Sequence, residues 1–215
     1  ALHIVILYQR ILADPGLDLA PRTFLFAGKA APGYRMAKLI IHFINSLAET
    51  LARDTQVSRL IRVAFVPDYR VSVAENLIPA TDVSEQISLA GFEASGTSNM
   101  KFMMNGALTI GTRDGANIEM AREAGEENLF LFGMTAAEVE QSRPWYNPQW
   151  HYEAEAETRA ALDLISSGHF SPGEPGAFKP LVDLLLRDGD YYMILADLRG
   201  YAETQERVGR LYQEP

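Results

Sequence analysis

The sequence contains no cysteine, which excludes disulfides, thiolate metal sites and cysteine nucleophiles. No stretch approaches the roughly 18 consecutive apolar residues of a membrane-spanning helix, so no membrane partner is expected. Positive charge is also in short supply. Nineteen lysines and arginines against 28 aspartates and glutamates leave a net charge of −9. General nucleic-acid and membrane-surface binders carry a basic footprint, so neither role is expected. The phosphate and dinucleotide fingerprints G-x-x-x-x-G-K-[ST] and G-x-G-x-x-G are absent, and His3, His42, His151 and His169 lack a ligand spacing such as H-E-x-x-H. No metal site is expected. No internal repeat or low-complexity segment interrupts the chain.

What is present is an ordinary globular composition, 47% hydrophobic and 22% charged over 215 residues. The first thirteen residues place Leu2, Ile4, Val5, Leu7, Ile11 and Leu12 on a helical face, and "ADPG" (13–16) ends it. "RTFLFAG" (22–28) reads as a buried strand. The segment 32–52 carries Met36, Ile40, Ile44, Leu47 and Leu51 at helical spacing and predicts a long amphipathic helix. "IRVAFVP" (61–67) is the next strand and "VSVAENLI" a short helix, with a further strand in 80–86. A helix from about Thr97, a strand at 107–111, a helix from about Ala116 and a strand in 128–133 follow.

Strands alternating with helices in this way predict a doubly wound α/β fold, one mostly parallel Rossmann-like sheet with helices on both faces. That sheet core spans about 22–133. The remainder, about 134–215, predicts helices, interrupted by an aromatic turn at 143–150 and a Gly/Pro-rich loop at 168–178. The apolar start "ALHIVILYQRIL" has no basic leader and no initiator methionine. It reads as a helix cut in mid-course, and together with the abrupt end it predicts a piece of a longer, cytoplasmic protein.

In open α/β sheets ligands bind where strands give way to helices. Four such turns stand out: 27–33, 67–70, 93–98 and 111–117. The third is the most informative. Gly96 permits close backbone approach, Thr97 or Ser98 can cap the following helix, and free N–H groups at its start suit an anion. Lys101 lies four positions after Thr97, so the two share a helical face about one turn, ~5.4 Å, apart. A lysine desolvated in the apolar run around Met100 and Phe102 would have a lowered pKa and serve as an amine for a Schiff base. The same spacing is also met by a snorkelling lysine and a simple helix cap. Arg70, just past a strand, can hold an anion or be solvated; Glu93 can orient hydroxyls or cap a loop.

The stretch "EASGTSNMKFMMNGALTIGTRDGANIEM" (93–120) closely resembles the pyridoxal-phosphate segment of the α-glucan phosphorylases of glycogen, starch and maltodextrin. The resemblance extends through "FAGKAAPGYRMAKLIIHFIN" (26–45), 63–88 and "ADLRGYAETQERVGRLYQEP" (196–215). It implies the C-terminal lobe of a two-lobe, glycosyltransferase-type (GT-B) enzyme. The implied reaction is reversible phosphorolysis, in which orthophosphate releases glucose 1-phosphate from a terminal α-1,4-glucan bond with retention. By motif position, Lys101 matches the lysine that carries pyridoxal 5'-phosphate as a Schiff base, and Thr97 and Ser98 match contacts to the cofactor phosphate. Many members of the family have glycine where Ser98 stands. Because that contact is made by a backbone N–H, it is expected to survive. Tyr69 and Arg70 match residues lining the cofactor and substrate phosphate, and Glu93, Ser95 and Gly96 match contacts to glucosyl hydroxyls. Catalytic roles are thereby implied for Lys101, Arg70, Glu93 and Thr97. In this family the Schiff base is an anchor, while the cofactor phosphate relays a proton.

The resemblance also implies what a complete site needs beyond this chain: a basic stretch just before Ala1, an N-terminal lobe of the same chain, and a segment after Pro215. The intact enzyme is expected to be a homodimer, and the 215 residues alone to be inactive and to bind the cofactor weakly if at all. Two other readings are a nucleotide-sugar glycosyltransferase lobe and a non-catalytic glucan-binding or regulatory module. Neither has a use for Lys101 within its full motif.

Overall fold

Strands separated by one or two helical segments run as far as Phe132, and among the described residues beyond it the regular elements are helices. The computed structural model describes residues 1–213; Glu214 and Pro215, the end of the 196–215 stretch, lie outside the described residues. In chain order the elements are α1 (Leu2–Ala13), β1 (Arg22–Gly28), α2 (Arg35–Arg53), α3 (Val57–Leu60), β2 (Ile61–Pro67), α4 (Val71–Leu77), β3 (Val83–Gln86) and α5 (Ser98–Met104). Then come β4 (Leu108–Thr112), α6 (Ala116–Ala124), β5 (Phe130–Phe132), α7 (Ala136–Ser142), α8 (Pro148–Ala154), α9 (Ala156–Ser166), α10 (Lys179–Leu186) and α11 (Ile194–Gln213). No helix among the described residues is long and apolar enough to cross a membrane.

The chain forms two compact units, each assembled from two stretches: Ala1–Tyr69 with Pro148–Tyr191, and Arg70–Asn147 with the chain from Tyr192 onward. In the first, β1 and β2 pair in parallel from Arg22 opposite Ile61 to Gly28 opposite Pro67. The crossover helix α2 turns Phe43, Ile44, Leu47 and Leu51 inward, the stripe that a 3.6-residue period places on one face. α1 buries Ile4, Val5, Leu7 and Ile11 and packs on α9. Phe178, fully buried, meets Phe43 edge-on at 5.1 Å between centroids.

In the second unit β3, β4 and β5 pair in parallel in that order, with α5 and α6 as crossovers. The middle strand β4 is buried from Thr109 to Thr112, as expected for a parallel strand flanked on both edges. Ile110, Phe132 and Val208 form the core beneath it. Leu89, Ala90, Val139 and Met193 form a second cluster.

The mixed α/β character and the parallel pairing agree with the sequence reading. Three expectations do not. The strands form two separate sheets, not one continuous sheet, because periodicity reports which segments are strands but not which edges pair. β1 is not buried on both faces: its residues alternate half-buried and exposed, with Leu25 45% exposed, so one face of this strand is left open. The aromatic stretch 143–150 is not all turn, since α8 begins at Pro148, where proline's fixed φ suits a first helical position.

Candidate functional site

In the second unit β3 and β4 run parallel, so their carboxyl ends, Gln86 and Thr112, deliver two loops to the same edge. Residues 87–97 connect β3 to α5, and 113–115 connect β4 to α6. Between them lies a cleft of about 110 Å³, lined among others by Glu85, Gln86, Glu93, Ser95, Gly96 and Asp114.

The 113–115 turn organises the cleft. Asp114, only 6% exposed, accepts hydrogen bonds from the Ser88 hydroxyl at 3.1 Å, the Gly91 N–H at 2.8 Å and the Glu93 N–H at 2.8 Å. Gly115 adopts φ +49°. A Cβ there would stand 2.6 Å from the Ser95 carbonyl oxygen, so only glycine allows this approach. The next amide, that of Ala116, donates to the same oxygen at 2.7 Å. Beneath them a buried amide pair joins the first turns of α5 and α6: Asn99 Nδ2 donates to Asn117 Oδ1 at 3.0 Å, and Asn117 Nδ2 to the Thr112 carbonyl at 3.1 Å.

The structure brings together some of the residues that the sequence singles out. Glu93, Ser95 and Gly96 all line the cleft. Thr97 and Lys101 lie one turn apart, with the Lys101 N–H donating to the Thr97 carbonyl at 3.3 Å. Tyr69 and Arg70 do not line the cleft. Arg70, exposed, stands at the N-terminal boundary of α4, and half-buried Tyr69 is the last residue of the first unit's leading stretch.

Two expectations for the Lys101 helix need correction. Lys101 is exposed, not desolvated. α5 has seven residues and fully buries only Asn99; Met100 and Met104 beside the lysine are 40% and 86% exposed. An apolar run on so short a helix is not evidence of core. The second correction concerns the cap. Thr97 occupies the N-cap position but its side chain caps nothing, and the Ser98 hydroxyl instead donates to Gln86 Oε1 at 3.1 Å.

Sequence reasoning missed Asp114, Asn99 and Asn117. The Asp-Gly step in "TRDGAN" was the available signal, marking a turn in which a side chain bonds nearby backbone. Three carboxylates, Glu85, Glu93 and Asp114, line the cleft with the amides of Gln86, Asn99 and Asn117, and no lysine or arginine is among its described lining residues. Such a set recognises hydroxyl groups, which donate to carboxylates and exchange hydrogen bonds with amides. It does not suit a phosphate inside the cleft itself. The Lys101 amine and the Thr97 hydroxyl make no side-chain hydrogen bond or ion pair among the described residues. They adjoin the exposed apolar surface of Met100 and Met104. An exposed amine can take a carbonyl partner, the hydroxyl can hydrogen-bond an anion, and the apolar flank offers a contact surface.

The sequence profile of the family described as carbohydrate phosphorylase matches residues 1–215. The chain is 50% identical over 214 residues to the glycogen phosphorylase of Chlamydia pneumoniae, a match that takes in 100% of this chain and 26% of that protein. It is 53% identical over 215 residues to the brain form of glycogen phosphorylase from Rattus norvegicus, covering 100% of this chain and 26% of the relative. It is 52% identical over 215 residues to the muscle form from Ovis aries, covering 100% and 25%. The chain thus spans about a quarter of the length of these relatives.

Proposed function

The chain belongs to the carbohydrate phosphorylase family, and from that premise we propose that it is the cofactor-carrying part of an α-glucan phosphorylase. The activity is reversible phosphorolysis of terminal α-1,4-glucan bonds to glucose 1-phosphate. The 215 residues belong to the C-terminal lobe of a two-lobe, Rossmann-like GT-B enzyme, cytoplasmic and homodimeric when intact. The observation that carries the reading is Lys101 itself: among the described residues its exposed amine has no side-chain partner, and neither has the Thr97 hydroxyl one turn away, within a chain that matches the family throughout. A glucan-binding module has no need of that amine.

In this reading Lys101 Nζ is the covalent attachment point for pyridoxal 5'-phosphate. Thr97, with Ser98 through its backbone N–H, holds the cofactor's phosphate at the start of α5. Tyr69 lines the cofactor, and Arg70 brings a guanidinium to the substrate phosphate, a pairing that charge favours. When bound, the cofactor supplies a phosphate group able to exchange protons near neutral pH. Glu93 accepts hydrogen bonds from glucosyl hydroxyls, while Ser95 and Gly96 complete the polar wall, so the sugar is oriented before its bond is broken. The cationic charge needed around two adjacent phosphates is not in this cleft and comes from elsewhere in the whole enzyme. The 215 residues alone are therefore expected to form no glucose 1-phosphate.

The test is to treat the full-length protein with pyridoxal phosphate, reduce with borohydride and map the modified peptides by mass spectrometry. A dominant adduct on Lys101, lost in Lys101→Ala together with glucose 1-phosphate formation, is the expected result. Labelling spread over Lys29, Lys38 and Lys179 with Lys101 unmodified would refute the assignment.

A further inference from the structure

We infer that Asp114 is a positioning residue for glucosyl recognition, acting through Glu93. The inference rests on the reading of Glu93 as a contact to the glucosyl hydroxyls. Residues 93–95 are exposed, and an exposed loop ordinarily samples many conformations, so a ligand that needs one of them must supply the ordering free energy on binding. The 114–116 turn removes that freedom from both ends of the segment. On one side the buried Asp114 carboxylate accepts the Glu93 N–H at 2.8 Å. On the other, the Ala116 N–H holds the Ser95 carbonyl at 2.7 Å, in the space left by the missing Cβ of Gly115. Only Ala94 lies between the two anchors.

The chemistry of the anchor demands a carboxylate. The three groups that bond it are all donors, the Ser88 hydroxyl and the amides of Gly91 and Glu93, and a carboxylate can accept from all of them. Oδ1 serves Gly91, while Oδ2 serves Ser88 and Glu93. An asparagine keeps the shape but replaces one of those oxygens with an NH₂ group. At least one backbone N–H would then face a donor in a buried setting. Two of the three bonds are to backbone, so they fix the path of the chain itself. The Glu93 side chain departs from an amide already fixed in place, and its Oε1 stands 3.5 Å from the Ser95 N–H. The cleft thus presents a carboxylate whose backbone cannot follow the ligand.

The experiment uses the full-length enzyme, with initial rates measured against glucose 1-phosphate at saturating glucan for wild type, Asp114→Asn, Glu93→Gln and the double variant. Asp114→Asn is expected to raise the KM for glucose 1-phosphate about tenfold. Its kcat should change less, and the borohydride-trapped cofactor on Lys101 should be undiminished. In the Glu93→Gln background Asp114→Asn should add no further increase, since residues acting as one unit are not additive. Ser88→Ala removes one of the three bonds and should shift KM in the same direction by about two- to threefold. If Asp114→Asn does not fold, this milder variant and its double with Glu93→Gln decide the matter.

A wild-type KM in Asp114→Asn would overturn the proposal, as would an equal and additive increase in the Glu93→Gln background. So would a loss of melting temperature and Lys101-bound cofactor with KM unmoved, which is the signature of a purely structural role. An unchanged KM in Glu93→Gln alone would overturn the glucosyl assignment of Glu93 first, and this inference with it.

Discussion

His3 lies in α1 with 2% of its surface exposed. Burial first, and then nearby cationic groups including Arg22 and Arg10, lower its pKa from 6.5 to about 3. The folded value lies below the unfolded one, so folding favours the neutral ring. That contribution is complete above the unfolded pKa of 6.5 and is lost as the pH falls from there towards about 3. Urea unfolding across this window should show stability declining by up to ~1.4 kcal/mol per pH unit from this one group, and His3→Phe should flatten that part of the profile. The residue scale also shows what local sequence conveys about the site. The one-turn spacing of Thr97 and Lys101 was legible, because it depends on neighbours within a few positions, and the turn that carries Glu93, Ser95 and Gly96 was marked by its glycine. The anchor Asp114 was not, since its partners stand 21 to 26 residues away.

At the scale of elements, two helix starts carry a threonine in the same position and use it differently. Thr135 opens α7 with a capping box: its side chain accepts from the Glu138 N–H, and the Glu138 carboxylate accepts from the Thr135 N–H at 2.8 Å. Thr97 opens α5 with no such bond. Thr135→Ala should therefore cost about 1 kcal/mol, while Thr97→Ala should stay within about 0.5 kcal/mol of wild type. Thermal unfolding of the two variants measures this contrast directly. If Thr97 serves a ligand and not the helix, its variant should also retain less pyridoxal phosphate at unchanged stability. A loss of stability in Thr97→Ala equal to that in Thr135→Ala would assign the residue to the helix.

For the whole molecule, the important fact is that neither unit is a contiguous segment. The first takes Pro148–Tyr191 from the second half of the chain, and the second takes α11. Truncation after Asn147 therefore removes Leu162 and Phe178, both 0% exposed, from one core and Val208, 2% exposed, from the other. Losing a large buried side chain costs about 2–5 kcal/mol, against a total stability of about 5–15 kcal/mol for a domain. The truncated chain should show no cooperative unfolding transition and should be digested rapidly by a nonspecific protease. A protected fragment spanning Arg70–Asn147 would show that the second unit's sheet stands without α11.

The sequence by itself determined the kind of most elements, the parallel alternation of strands and helices and the family, because hydrophobic period, turn residues and a long contiguous motif are local quantities. Only the tertiary structure decided that the strands divide into two sheets, that Lys101 stands in solvent beside Met100 and Met104, and that Asp114 holds the loop bearing Glu93. These depend on which atoms distant in sequence come within 3 Å or so of one another, and no local pattern encodes that. An apolar run predicts that something will cover it; which chain segment does so is settled by packing, and on α5 the described residues half-bury Phe102 and Met103 and leave Met100 and Met104 exposed.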